Sequence, residues 1–133
     1  MTNLEKLKEL CSNLTILYVE DEMIIKEMMV QYLQKFFLKV ETASDGREGL
    51  EKFQKGSYDI VISDLSMPRM SGALMLKEIQ NIKKNQLVLV TSAYTLDDPI
   101  FDLSALNIFG YINKPFDLQQ LNTELYNAVS NFK

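Results

Sequence analysis

Asp59-Ile60-Val61-Ile62-Ser63-Asp64-Leu65-Ser66-Met67-Pro68-Arg69-Met70-Ser71-Gly72 is a short β-rich run that stops on a carboxylate and breaks into a loop punctuated by Pro and Gly. After it, Leu74, Met75, Ile79 and Ile82 return at helical spacing, so the segment reads strand, loop, helix. The same unit recurs on both sides. Toward the C-terminus, Leu87 to Thr91 is a strand without polar alternation, as expected when both faces are covered. Asp97-Asp98-Pro99 then predicts the cap and first turn of a short helix through Leu106, and Phe109 to Ile112 a fifth strand. A last helix carries Leu118, Leu121, Leu125, Ala128, Val129 and Phe132 on one stripe.

Toward the N-terminus, Gly56 is a helix stop and Ser44-Asp45-Gly46 a helix start, bracketing a helix through Leu50 and Phe53. Lys39 to Ala43 is a short strand, preceded by a helix whose apolar positions run from Ile25 through Met28, Met29, Tyr32 and Leu33 to Phe36. Thr15 to Val19 is the first strand and ends at Glu20-Asp21-Glu22. Leu4, Leu7, Leu10 and Cys11 add an amphipathic helix of about three turns ahead of it. Five such β/α units imply an α/β fold: a doubly wound, five-stranded parallel sheet with helices on both faces and an extra N-terminal helix. Residues 1–12 form the extension and residues 13–133 the domain.

The chain has 133 residues, 47% hydrophobic and 24% charged, which suits one globular domain with a core that needs no staples. The single cysteine excludes an intramolecular disulfide and suits a reducing compartment. No apolar run nears the roughly 20 residues of a membrane span, and the first residues do not form a signal-peptide block, so a cytoplasmic location is expected. A net charge of -4 argues against a nonspecific grip on nucleic acid or anionic lipid. Between Asn85 and Phe132 the one basic residue is Lys114, against five acids, so the imbalance belongs to the C-terminal third. Histidine is absent, which removes imidazole bases, Ser/His/Asp triads and His-containing metal sites.

In an open parallel sheet, ligands bind outside the carboxyl ends of the strands. Those ends carry Glu20, Asp21 and Glu22, then Asp64, then Ser92, then Lys114-Pro115. Any one acid at a strand end is as readily a solvated loop residue, but the set together is hard to assign to chance. Two or three carboxylates with carbonyls and water suit Mg²⁺, and a lone ammonium at the same rim suits a transferred phosphoryl group.

The order YVEDE, DIVISDLSMPRMSG, LVLVTSAY and GYINKPF resembles the receiver domain of two-component response regulators, from about Thr15 to the C-terminus. That resemblance implies a flavodoxin-like (βα)5 sheet, with Asp64 the phosphoacceptor. It implies that Glu20 and Asp21 are the acidic pair, with Asp21, Asp64 and the carbonyl of Ser66 ligating Mg²⁺. Ser92 would meet a phosphoryl oxygen, Lys114 would pair with the phosphoryl group, and Tyr111 would be the switch aromatic. Tyr94, two residues past Ser92, would shield the acyl phosphate from water. A cis bond is implied at Lys114-Pro115, which an X-Pro bond can adopt. The donor phosphohistidine must come from a sensor histidine kinase or a phosphotransfer protein, because this chain has none. The output implied is a surface formed by the helix near residues 97–106, the fifth strand and the last helix, read by a downstream effector or output domain. Two departures stand out. Asn107-Ile108-Phe109-Gly110 is bulkier than the family's small-residue run, and the last helix is lined by amides where winged-helix regulators carry charge.

Other readings compete. A haloacid dehalogenase-type hydrolase needs a second acid two residues after the nucleophile, where Ser66 stands, and a nucleotide-binding module needs a Gly-rich loop that Glu20-Asp21-Glu22 replaces. A pseudo-receiver that binds partners without phosphorylation remains the alternative. Outside these motifs bland roles are expected: Met23 to Met29 as core filler, Cys11 as a small buried apolar residue, and Leu4 to Leu10 as a cap on the domain edge.

Overall fold

The computed structural model describes residues 2–65, 67, 69–92 and 106–130, with Ser92 described by its backbone alone. The elements run α1 (Asn3–Cys11), β1 (Thr15–Val19), α2 (Met23–Leu33), β2 (Lys39–Ala43), α3 (Gly46–Lys55), β3 (Ile60–Asp64), α4 (Gly72–Ile82), β4 (Leu87–Ser92), β5 (Gly110–Asn113) and α5 (Leu118–Val129). All four strand pairings are parallel, in the order β2-β1-β3-β4-β5. The expected doubly wound, five-stranded parallel sheet is therefore the observed fold. The helix expected near residues 97–106 lies outside the described residues.

Two-residue periodicity sorts each strand between two cores. Ile16, Tyr18, Ile60, Ile62, Leu89 and Ile112 meet Leu7 and Cys11 of α1, Met29 and Leu33 of α2, and Leu121, Leu125 and Val129 of α5. Leu17, Val19, Val61, Val88 and Val90 face the other way, onto Phe53 of α3 and Met75, Leu76 and Ile79 of α4. Among the described residues, three helices cover one face and two the other. Helix starts follow the expected chemistry: Asp45 accepts from the Glu48 amide at 2.8 Å, and Ser71 from the Leu74 amide at 3.2 Å.

Some boundaries and roles differ from the sequence reading. α2 ends at Leu33 and not at Phe36, because Lys35 N–H bonds Tyr32 C=O and Phe36 N–H bonds Leu33 C=O, tight i→i+3 turns that swing Phe36 and Phe37 into the core. The Met23–Met29 stretch is not core filler throughout. Met29 is buried, but Met23 and Met28 are 65% and 66% exposed, and Ile24 is 75% exposed. The run is apolar around most of the helix, whereas the sheet can cover only one stripe of it. Leu4 and Leu10 likewise stay exposed while Leu7 and Cys11 point inward, as one face of a helix requires. Phe109 precedes β5 and is 40% exposed.

Candidate functional site

β1 and β3 are neighbours, and the chain leaves them in opposite directions to β2 and β4, which makes their carboxyl ends the switch point where such a sheet opens a crevice. Glu20 and Asp21 follow β1 there, and Asp64 ends β3 beside them. One carboxylate oxygen from each of the three lies within 4.8 Å of the others. Glu20 is fully buried, Asp64 nearly so, and Asp21 is exposed at the mouth.

Lys114, just beyond β5, reaches across the edge of β4 into this cluster. Its Nζ lies 2.8 Å from Glu20 Oε1 and 2.9 Å from Asp64 Oδ2, with the side chain 11% exposed. The Lys114-Pro115 bond is cis. Burial alone would lower the Lys114 pKa, but its bonds to Glu20 and Asp64 outweigh that and raise it, so the ammonium stays charged. Burial pushes the Glu20 carboxyl above the usual carboxylate range, against the lowering effect of Lys114 and of the Glu22 N–H that donates to Glu20 Oε2 at 3.2 Å.

Glu20 Oε1 also accepts from the buried Tyr18 hydroxyl at 3.3 Å. The sequence reading missed this phenol. Tyr18, on β1, stands two residues before Glu20, which directly follows the strand, and the extended chain's period of two was the available signal.

With three carboxylates and one ammonium among the described residues, the crevice keeps an excess of negative charge. An all-oxygen donor set at this spacing fits a hard divalent cation better than a soft one. Glu20, Asp21 and Asp64 are brought together as expected, and Lys114 joins them. Ser66 and Tyr94 lie outside the described residues, as does the Ser92 side chain, although the Ser92 backbone pairs with Asn113 at the end of β4. Tyr111, on β5 opposite Val90, is half-buried against the α3/α4 core.

Fold and cleft together define an α/β module of flavodoxin-like topology with an acidic, lysine-bearing crevice at its switch point. Comparison with known proteins gives the family. The model of the response regulator receiver domain matches residues 16–126, and the chain belongs to that family, a signalling module of two-component systems.

Among curated relatives, the sensor kinase CckA of Brucella abortus is 36% identical over 121 residues, covering 90% of this chain and 13% of that protein. Response regulator RR06 of Streptococcus pneumoniae is 40% identical over 108 residues, 79% of this chain and 48% of that protein. The chain thus spans half or less of the length of these relatives. Among solved structures, the chemotaxis protein CheY4 of Vibrio cholerae matches with a TM-score of 0.80 and 32% identity, covering 88% of this chain and 99% of that one. Response regulator TrrA of Thermotoga maritima, in complex with Mg²⁺ and BeF, matches at 0.75 with 32% identity, covering 86% and 97%. Among the described residues, no helix is long and apolar enough to cross a membrane.

Proposed function

We propose that this receiver domain accepts a phosphoryl group on Asp64 from the phosphohistidine of a sensor histidine kinase or phosphotransfer protein, with Mg²⁺ as cofactor. The observation that carries the reading is the Lys114 ammonium bridging Glu20 and Asp64 in a crevice where the exposed Asp21 adds a third carboxylate. A carboxylate is a poor nucleophile toward phosphorus ringed by anionic oxygens, so transfer requires cancelled charge and an in-line approach. Asp64 attacks phosphorus, the P–N bond to the donor imidazole breaks, and the imidazole keeps the electron pair and takes a proton. Asp21, Asp64 and the Ser66 carbonyl would hold Mg²⁺, with Glu20 in the same acidic cluster, and the bound ion would supply positive charge to the transferred phosphoryl group. Lys114 then exchanges part of its pairing with Asp64 for a phosphoryl oxygen. The donor protein's approach is served by the exposed Met28 and Leu118, which line a groove of about 640 Å³ that runs to Lys114 and Pro115, and by the exposed Met23 and Ile24 at the start of α2.

Output follows from the same charge. Ser92 turns toward the phosphoryl group to donate a hydrogen bond, Tyr111 fills the space behind β4, and Tyr94 screens the acyl phosphate from water. The surface remodelled is that of residues 97–106, β5 and α5, facing a downstream effector or output domain. Residues 1–12 act as an extension packed on a receiver domain of residues 13–133. Incubation with a small acyl phosphate and Mg²⁺, followed by intact mass, tests the reading. Wild type should gain one phosphoryl group and Asp64→Asn none, whereas an unmodified wild type would favour the pseudo-receiver alternative.

A further inference from the structure

The loop between β3 and α4 is fastened from outside the acidic crevice, by the N-terminus of α3. Arg69 in this loop has φ 67°, in the left-handed region that a Cβ-bearing residue rarely occupies. Its guanidinium Nη1 lies 3.2 Å from Asp45 Oδ2, although the Arg69 side chain is 71% exposed and Asp45 is 8% exposed. The other Asp45 oxygen caps α3, accepting from the Glu48 amide at 2.8 Å. One residue along each chain, Gly46 N–H bonds the Met70 carbonyl at 3.2 Å, and a Cβ on Gly46 would stand 2.3 Å from that oxygen. The loop closes on itself where Gly72 N–H bonds the Leu65 carbonyl at 2.9 Å.

We infer that Asp45 is a positioning residue for the loop that follows Asp64, acting through Arg69. A buried carboxylate whose capping bond comes from a neutral amide is stabilised by a cation beside it. An arginine in a left-handed conformation needs something to hold it there. The two needs meet in one ion pair, which fastens Arg69 to a rigid helix start. The consequence for Mg²⁺ rests on the receiver reading above, whereas the clamp itself does not.

Asp45→Asn separates the two roles of the side chain, because asparagine caps a helix as well as aspartate does but cannot pair with a guanidinium. In metal-free protein, tryptic cleavage after Arg69, followed by peptide mass, should speed up about threefold in Asp45→Asn, the scale of a partly exposed ion pair, with little change in Tm. Mg²⁺ alone, titrated against backbone amide spectra, should show a half-saturation raised by about the same factor. Arg69→Gly removes the same ion pair from the other side, so it should raise the Mg²⁺ half-saturation about as much as Asp45→Asn does, and the double variant should lose little more than either single one. Unchanged cleavage in Asp45→Asn, or fully additive Mg²⁺ losses in the double variant, would overturn the clamp. Absence of any Mg²⁺ response in wild type would count against the receiver chemistry instead, leaving the cleavage comparison to decide the clamp.

Discussion

Glu20 and Lys114 are partners in the crevice, yet their removal should have opposite effects on the metal-free fold. Glu20 is a fully buried carboxyl whose ionised form is disfavoured chiefly by desolvation, with Asp64 adding repulsion. Glu20→Gln keeps an acceptor for the Tyr18 hydroxyl and deletes one surplus charge, so it should stabilise the protein by about 1 kcal/mol in a metal chelator. Lys114→Ala strips the carboxylates of their cation and should destabilise it by roughly 3 kcal/mol, still folded but with a lower Tm. Thermal unfolding of both variants checks the pair of signs, and a loss of stability in Glu20→Gln would contradict the charge balance described. Cys11 is the other titratable group remade by burial: the thiol is fully enclosed and its pKa pushed up to about 12. The folded value exceeds the unfolded one, so this group's contribution is complete below the unfolded pKa and is lost as pH rises toward 12. Iodoacetamide at mildly alkaline pH should therefore label Cys11 only when denaturant is added, and rapid labelling of the native protein would contradict its burial.

At the scale of the element, the approach of α4 to β3 sets the position of Asp64. A Cβ on Gly72 would stand 1.8 Å from the Asp64 carbonyl oxygen, a backbone atom that cannot step aside without moving Asp64 itself. Gly72→Ala should cost about 3 kcal/mol and slow phosphorylation as well. Gly56→Ala is the control: the nearest atom there is the Tyr58 hydroxyl at 2.9 Å, the end of a side chain, and the backbone φ is -115°. Equal urea midpoints for the two variants would refute the distinction. α1 contributes to the core it covers, because Leu7 is 1% exposed among residues of α5 and the sheet. Leu7→Ala should lower stability by about 3 kcal/mol, as a buried leucine does, whereas Leu4→Ala on the exposed face should be near neutral.

For the molecule as a whole, the sheet and its rim were legible because strand ends and acids coincide in sequence: Val19 runs into Glu20 and Asp21, and β3 ends on Asp64 itself. Lys114 could be singled out by charge alone, as the one cation in a long acidic stretch. Its bridging of Glu20 and Asp64 could not, since that contact spans 50 residues of chain to Asp64 and depends on strand order. The exposed methionines of α2 were misjudged for a related reason: composition shows that a helix is apolar but not how much of it a five-stranded sheet can cover. The Asp45–Arg69 pair was hidden because nothing local shows that Arg69 takes a positive φ. If the switch works as a unit, Ser92→Ala and Tyr111→Ala should each lower the phosphorylation-dependent gain in partner affinity, itself on the order of 1 to 3 kcal/mol, and the double variant should lose little more. Additive losses in binding titrations would separate the two residues. The central claim is that Asp64 is the nucleophile, and the most direct test is to trap the acyl phosphate by borohydride reduction after treatment with an acyl phosphate donor and to map the reduced residue by peptide mass. Reduction at Asp64 alone, and only when Mg²⁺ was present, is the expected result; reduction at Glu20 or Asp21, or the same yield at Asp64 in a chelator, would contradict it.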